Sequence, residues 1–210
     1  MALVENPVFA RLYGPLAARQ EERGNRALRT ELLAGLSGRV IEVGPGTGLN
    51  FPRYPAEVAE VVAVEPEPHL RAQAAEAART APVRVRVVDG TATRLPADDG
   101  SADAVAISGL LCSVPDPRTA LAEFLRVLRP GGQLRFYEHV RSHDTAFAAA
   151  QRVADLVWPR LMGGCHVTRD PLPDIRRVFE VDRCRGFRFP ATAWCSPVAP
   201  RIIGTARKPR

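Results

Sequence analysis

Strand and helix signals alternate from residue 38 to the C-terminus, which predicts an α/β fold with a mainly parallel, doubly wound sheet. Two further observations support this class. Short β-branched runs (RVIEV, VAEVVAV, DAVAI) are each followed by Gly, Pro or an acidic residue and then by a helical pattern. The chain is also long enough, at 210 residues with 46% hydrophobic residues, to bury one sizeable core.

Taken in order, residues 6–36 read as two helices. Phe9, Leu12, Tyr13 and Leu16 share one face, Leu28, Leu32 and Leu33 share another, and Gly24-Asn25 separates them. Strands are expected at 39–43, 58–64, 83–88, 102–107, 133–138, 184–189 and 201–207. The third alternates Val83, Val85 and Val87 with Arg84 and Arg86, so it reads as half exposed. Helices are expected at 48–54, 66–79, 117–128, 145–161 and 171–179. The one at 117–128 presents Leu121, Phe124, Leu125 and Leu128 and is ended by Pro130-Gly131-Gly132. The expected organisation is a single domain, 1–210. Its parts are an N-terminal helical lid (1–37), a core (38–140), a helical insertion (141–180) and two closing strands (181–210).

The bulk numbers exclude several classes. No apolar run approaches the ~20 residues that span a bilayer. The N-terminus lacks a basic region followed by an apolar one, so no signal peptide is read and a cytoplasmic location is expected. The net charge is +6, but it comes from scattered arginines, with Lys208 the only lysine. They are not interleaved with aromatics, so no nucleic-acid partner is expected. Cys112, Cys165, Cys184 and Cys195 show neither CxxC nor finger spacing, so no metal is expected and the thiols are read as free.

Ligands of doubly wound sheets bind beyond the carboxyl ends of the strands. After the first strand comes Glu42-Val43-Gly44-Pro45-Gly46-Thr47-Gly48. A P-loop would need Gly-Lys-Ser/Thr at its end, and Leu49-Asn50 stands there. A dinucleotide fingerprint would need a third glycine where Leu49 is. The remaining pattern, E-x-G-x-G-x-G, resembles the first motif of class I S-adenosylmethionine-dependent methyltransferases. Its glycines let backbone approach a ligand, and a following helix N-terminus would offer N–H groups to the methionyl carboxylate. Glu42 would accept from the methionyl ammonium.

The companions follow in order. Glu65 ends the second strand, 21 residues beyond Gly44, and a carboxylate there can accept from ribose hydroxyls. Asp89-Gly90-Thr91 ends the third, where the methyltransferase pattern places an acid against the adenine amine. Then come LPADDGSADAV and FLRVLRPGGQLRFYEHV. The resemblance implies a seven-stranded Rossmann-like methyltransferase fold with S-adenosylmethionine as cofactor. Its binding residues would be Glu42, Gly44, Gly46, Gly48, Glu65, Asp89, Gly90, Thr91, Ser108 and Leu110.

A narrower resemblance lies further on. The series Ser108-Gly109-Leu110-Leu111-Cys112-Ser113-Val114, Glu138-His139-Val140, Trp158 and Gly164-Cys165-His166-Val167-Thr168-Arg169 is similar to the methyltransferase-like family that includes membrane-associated alkyl-thiol S-methyltransferases. Those relatives carry an apolar N-terminal anchor, whereas this N-terminus reads as an amphipathic helix. The resemblance implies methyl transfer to a small, apolar acceptor such as a thiol. A quinone carbon or a lipid-head-group amine is the alternative acceptor, with membrane-surface contact. Non-catalytic cofactor binding is the alternative outside enzymes. His139 and His166 are the candidate catalytic groups. Tyr13, Cys112, Trp158 and Arg169 are the candidate acceptor pocket, with Asp170 or Asp174 the expected partner of Arg169.

Overall fold

The structure, a computed structural model, describes residues 14, 19, 21–190 and 196–210. Seven strands form one sheet: β1 (Gly38–Val43), β2 (Val58–Val64), β3 (Val85–Val88), β4 (Ala102–Ser108), β5 (Leu128–His139), β6 (Glu180–Arg188) and β7 (Pro200–Arg207). Their spatial order is β3-β2-β1-β4-β5-β7-β6. The pairs among β1 to β5 are parallel, and β7 runs antiparallel between β5 and β6. The order reverses between β1 and β4, and that crevice is where a doubly wound sheet takes its ligand.

Six helices are described: α1 (Arg26–Leu33), α2 (Pro68–Ala78), α3 (Pro117–Val127), α4 (Thr145–Ala154), α5 (Trp158–Leu161) and α6 (Leu172–Val178). A kink at Gly24 (φ 103°) precedes α1, as Gly24-Asn25 predicts. The helix expected to carry Phe9, Leu12, Tyr13 and Leu16 falls outside the described residues. Side-chain caps start α2, α3 and α4, where Glu67, Asp116 and Asp144 accept from backbone N–H groups of the first turn.

Central strands are apolar on both faces because helices cover both. One core lies under α3 and α6 and includes Ile41, Val105, Ile107, Leu121, Phe124 and Ile175. The other lies under α1 and α2 and includes Leu32, Leu33, Val40, Phe51, Val61 and Ala74. Edge strand β3 is half-buried, as its Val/Arg alternation predicts.

Three expectations need correction. The helix expected over 145–161 is broken: α4 ends at Ala154 and α5 starts at Trp158. Asp155 turns its carboxylate to the 166–168 loop, and Pro159 can stand only in the first turn of a new helix. The helix expected over 48–54 is a single 3₁₀ turn, Phe51–Arg53, hemmed in by Pro52 and Pro55. A glycine-loop site backed by a full helix is therefore not what this fold builds. Finally, β6 starts at Glu180, before the expected residue 184. A bulge between Val181 and Arg183 interrupts its alternation and hid the strand.

Candidate active site

Sheet register brings the expected cofactor residues into one row. Val43 pairs with Val64 and with Ile107, and Val64 pairs with Val88. The next residue on each strand is Gly44, Ser108, Glu65 or Asp89, so these four lie side by side past the carboxyl edge. Backbone bonds continue the register, with Gly44 N–H donating to Val64 O (2.9 Å) and Glu65 N–H to Val88 O (3.1 Å).

The loop after β1 holds Gly44, Gly46 and Gly48 at φ 69°, 58° and 81°, a region L side chains avoid. The neighbours also demand glycine. A Cβ at Gly44 would lie 2.9 Å from Leu110 Cδ1, and one at Gly48 would lie 2.7 Å from the Phe51 ring. Glu65 ties this loop to β2. Its carboxylate accepts from Gly46 N–H (3.0 Å) and from Glu67 N–H (3.1 Å). Burial pushes its pKa up to about 7 against those two bonds. Each oxygen keeps a further lone pair for ribose hydroxyls, so the row fits the cofactor.

Glu42 is more enclosed. It accepts from Asn50 Nδ2 (2.7 Å) and the Tyr54 hydroxyl (2.8 Å), while Arg29 donates to Asn50 Oδ1 (3.0 Å) and to Ser108 Oγ (3.5 Å). Burial raises its pKa, and the Tyr54 and Asn50 bonds and the Arg29 charge oppose that. Arg29 also pairs with Glu21, which holds Arg53. Glu42 thus starts a buried network that runs through Asn50 and Arg29 to Glu21. Asp89 is mostly exposed and pairs with Arg71 (3.1 Å). A Cβ at Gly90 would meet Val64 Cγ1 at 2.8 Å, and the Thr91 hydroxyl lies 3.3 Å from that of Thr93.

The acceptor-side candidates divide into two groups. His139 ends β5. Its Nδ1 lies 3.6 Å from Cys165 Sγ and 3.8 Å from Cys112 Sγ. Hydrogen bonding with Cys165 and burial hold the Cys112 thiol well above its usual range, and His139 acts the other way. Trp158 packs on Cys112, Cys165 and Val167. Its Nε1–H is buried without an acceptor among the described residues.

His166 and Arg169 belong to the scaffold of this cluster. His166 Nδ1 meets Asp155 Oδ2 at 3.0 Å, and Asp155 also accepts from Val167 N–H (2.7 Å) and Thr168 Oγ1 (3.1 Å). Burial pushes the Asp155 carboxyl up, but these bonds outweigh it and bring the pKa below its ordinary value. Arg169 takes neither Asp170 nor Asp174 as expected. Its Nη1 donates to the carbonyls of Leu111 (3.0 Å), Cys112 (3.1 Å) and Val114 (2.5 Å). Tyr13 lies outside the described residues.

Sequence reasoning passed over Glu138. It is fully buried, and Oε1 accepts from Leu110 N–H (2.9 Å) and Leu111 N–H (3.2 Å), while Oε2 has no partner among the described residues. Burial pushes its pKa up to about 7 against those bonds. The available signal was its place, an acid following Phe136-Tyr137 in β5 just as Glu42 follows Val40-Ile41 in β1. Cys165 carried no local signal, since its neighbours in space are 26 and 53 residues away in sequence.

Comparison with known proteins agrees with this geometry. A family model described as a methyltransferase domain matches residues 41–136. The human thiol S-methyltransferase TMT1B is 36% identical over 211 residues, covering 96% of this chain and 85% of that protein. Human thiol S-methyltransferase TMT1A is 36% identical over 183 residues, covering 83% and 73%. The crystal structure of the cyclase SpnF superposes with a TM-score of 0.69 at 23% identity, covering 89% of this chain and 80% of that one. That last likeness speaks for the fold alone. Among the described residues no helix is long and apolar enough to cross a membrane. By its sequence and its fold, the chain belongs to the S-adenosylmethionine-dependent methyltransferase family that includes these thiol S-methyltransferases, and it is an enzyme with S-adenosylmethionine as cofactor.

Proposed function

We propose that this enzyme methylates a small thiol carrying an apolar group. One observation carries the reading. The domain match ends at residue 136, but the likeness to TMT1B covers 96% of the chain. It therefore extends through the 141–180 segment, which supplies the acceptor side.

The cofactor brings an already activated methyl group. The chain's task is to hold it, aim the acceptor and keep water away. Glu65, Asp89, Gly90 and Thr91 hold the nucleoside end, with Ser108 and Leu110 beside it. Gly44, Gly46, Gly48 and the Glu42 network shape the floor under the methionyl end. A free thiol has a pKa near ~8.5 and is only a few per cent thiolate at neutral pH. Activating it falls to His139 and the two cysteines beside it, because His166 is committed to Asp155. Trp158 and Met162 give the site an apolar wall. The exposed Val153, Leu156, Val157 and Leu161 of the same segment suit an acceptor with an alkyl portion.

The test is an acceptor panel with labelled methyl donor, covering alkyl thiols, sulfide, quinols and lipid amines. Label in alkyl thiols is expected. Label in quinols or lipid amines alone would overturn the thiol reading and leave fold and cofactor untouched.

A further inference from the structure

Cys112, His139 and Cys165 come from three separate segments: the loop after β4, the end of β5 and the loop between α5 and α6. Their ligand atoms all lie within 4.8 Å of one another. We propose that they bind one divalent ion of the zinc class, leaving a fourth position for the sulfur of the acceptor thiol. The inference rests on the thiol reading above for its catalytic part only.

The distances suit such an ion. Tetrahedral zinc has Zn–S of about 2.3 Å and Zn–N of about 2.05 Å, which sets S and N about 3.6 Å apart. The two sulfurs stand 3.6 and 3.8 Å from His139 Nδ1. Two thiolates and an imidazole favour a borderline-soft ion over magnesium or calcium. Three protein ligands with an open position form the catalytic type of zinc set, whereas structural sites close all four.

The supporting shell fixes the three segments together. His166 N–H donates to Cys112 O (2.8 Å), tying the Cys165 loop to the Cys112 loop. Arg169 clamps the carbonyls of Leu111, Cys112 and Val114, and Glu138 holds Leu110 and Leu111 from the β5 side. Such outer partners orient metal ligands. A second observation accompanies this shell: among the described residues the buried Nε1–H of Trp158, which packs on the same cluster as Cys112 and Cys165, lacks an acceptor.

The chemistry balances without an oxidant. The acceptor S–H breaks and its proton leaves to solvent as the sulfur joins the ion, since a coordinated thiol is deprotonated outright. The ion-bound thiolate then attacks the methyl carbon. A new S–CH₃ bond forms while the sulfonium S–CH₃ bond breaks, and the bonding pair stays on the departing sulfur as a neutral thioether.

Cobalt(II) is the probe, loaded anaerobically into the reduced full chain. One equivalent with a thiolate charge-transfer band and tetrahedral visible bands is expected. Cys112→Ser and Cys165→Ser should each remove about half the band, His139→Ala should weaken binding, and Cys184→Ser should change nothing. Calorimetric cofactor binding checks that each variant is folded. Adding an alkanethiol without methyl donor should raise the band by about half. Reduced wild type with no band overturns the site, as does a Cys112–Cys165 disulfide in protein purified anaerobically. Thiol methylation by such band-free protein would leave the thiol reading standing. A metal-bound protein that methylates no thiol would keep the site and sink that reading.

Discussion

Glu65 and Glu138 are the same device at opposite ends of the site. Each is a buried carboxylate at the end of a strand. Each accepts two backbone N–H bonds, and burial lifts each to about 7. The loops they hold differ. Glu65 fixes the glycine loop beside its own strand, where candidate cofactor residues follow their strands directly. Glu138 fixes the Leu110–Leu111 turn, whose neighbours arrive only when the chain returns at Cys165. The candidate cofactor half is thus assembled from local signals in register. The candidate acceptor half depends on contacts that only tertiary packing creates.

The sharpest way to separate the halves is His139→Ala. Turnover should fall about 10²- to 10⁴-fold, while calorimetric affinity for S-adenosylmethionine stays within about twofold. An equal loss in both would show that the halves are one unit. The mirror experiment is Glu65→Gln, which should weaken cofactor binding about 10- to 100-fold, as expected for losing charged hydrogen bonds. Wild-type affinity should also rise between pH 6 and 8, because the Glu65 carboxylate forms near 7. The Gln variant should lose that slope.

This division explains what could be read from the chain. The sheet's strands and the candidate acids Glu42, Glu65 and Asp89 were legible because β-branched runs and the acids at or just past their ends are contiguous. Gly44 and Gly48 were legible as glycines but for a further reason: Leu110 and Phe51 occupy the space a Cβ would need. Pro159 marked the break between α4 and α5, yet the apolar periodicity over 145–161 concealed it. Cys112 and His139 were legible as separate candidates, but their meeting with Cys165 could not be read. Motif spacing detects ligands on one turn or finger, and these three sit 27 and 26 residues apart.

Arg169→Ala tests the frame of the acceptor half. Three carbonyls would lose a charged donor, a cost of about 1–3 kcal/mol measurable by denaturant unfolding. Turnover should fall with it as Cys112 loses its hold. A smaller effect is expected from Glu138→Gln, seen as a change in pH dependence. The folded-state pKa of about 7 lies above the ordinary 4.5, so the fold binds this proton more tightly than the unfolded chain does. The stability from that proton is full below about pH 4.5 and is lost as pH rises through about 7. Glu65 contributes in the same direction. The Gln variant should therefore show a shallower fall in unfolding free energy between pH 5 and 8, by about 1–2 kcal/mol. An unchanged profile would mean that Glu138 is ionised in the fold.

The smallest effect is expected at the second histidine. His166 is partly exposed, with 39% of its side chain accessible, and its ring nitrogen engages a carboxylate already held by Val167 N–H and Thr168. Removing the imidazole leaves Asp155 with two donors, so the loop keeps its shape. His166→Ala should cost about 0.5–1 kcal/mol, the range of one partly exposed hydrogen bond, and change kcat by less than about threefold. Asp155→Ala should cost more, because it strips Val167 N–H and Thr168 of their acceptor. The comparison of the two variants by thermal unfolding and methyl-transfer rate is decisive. If His166→Ala stops turnover while stability and cofactor affinity hold, proton handling lies on the Asp155 side, and His139 is left with the metal-ligand geometry alone.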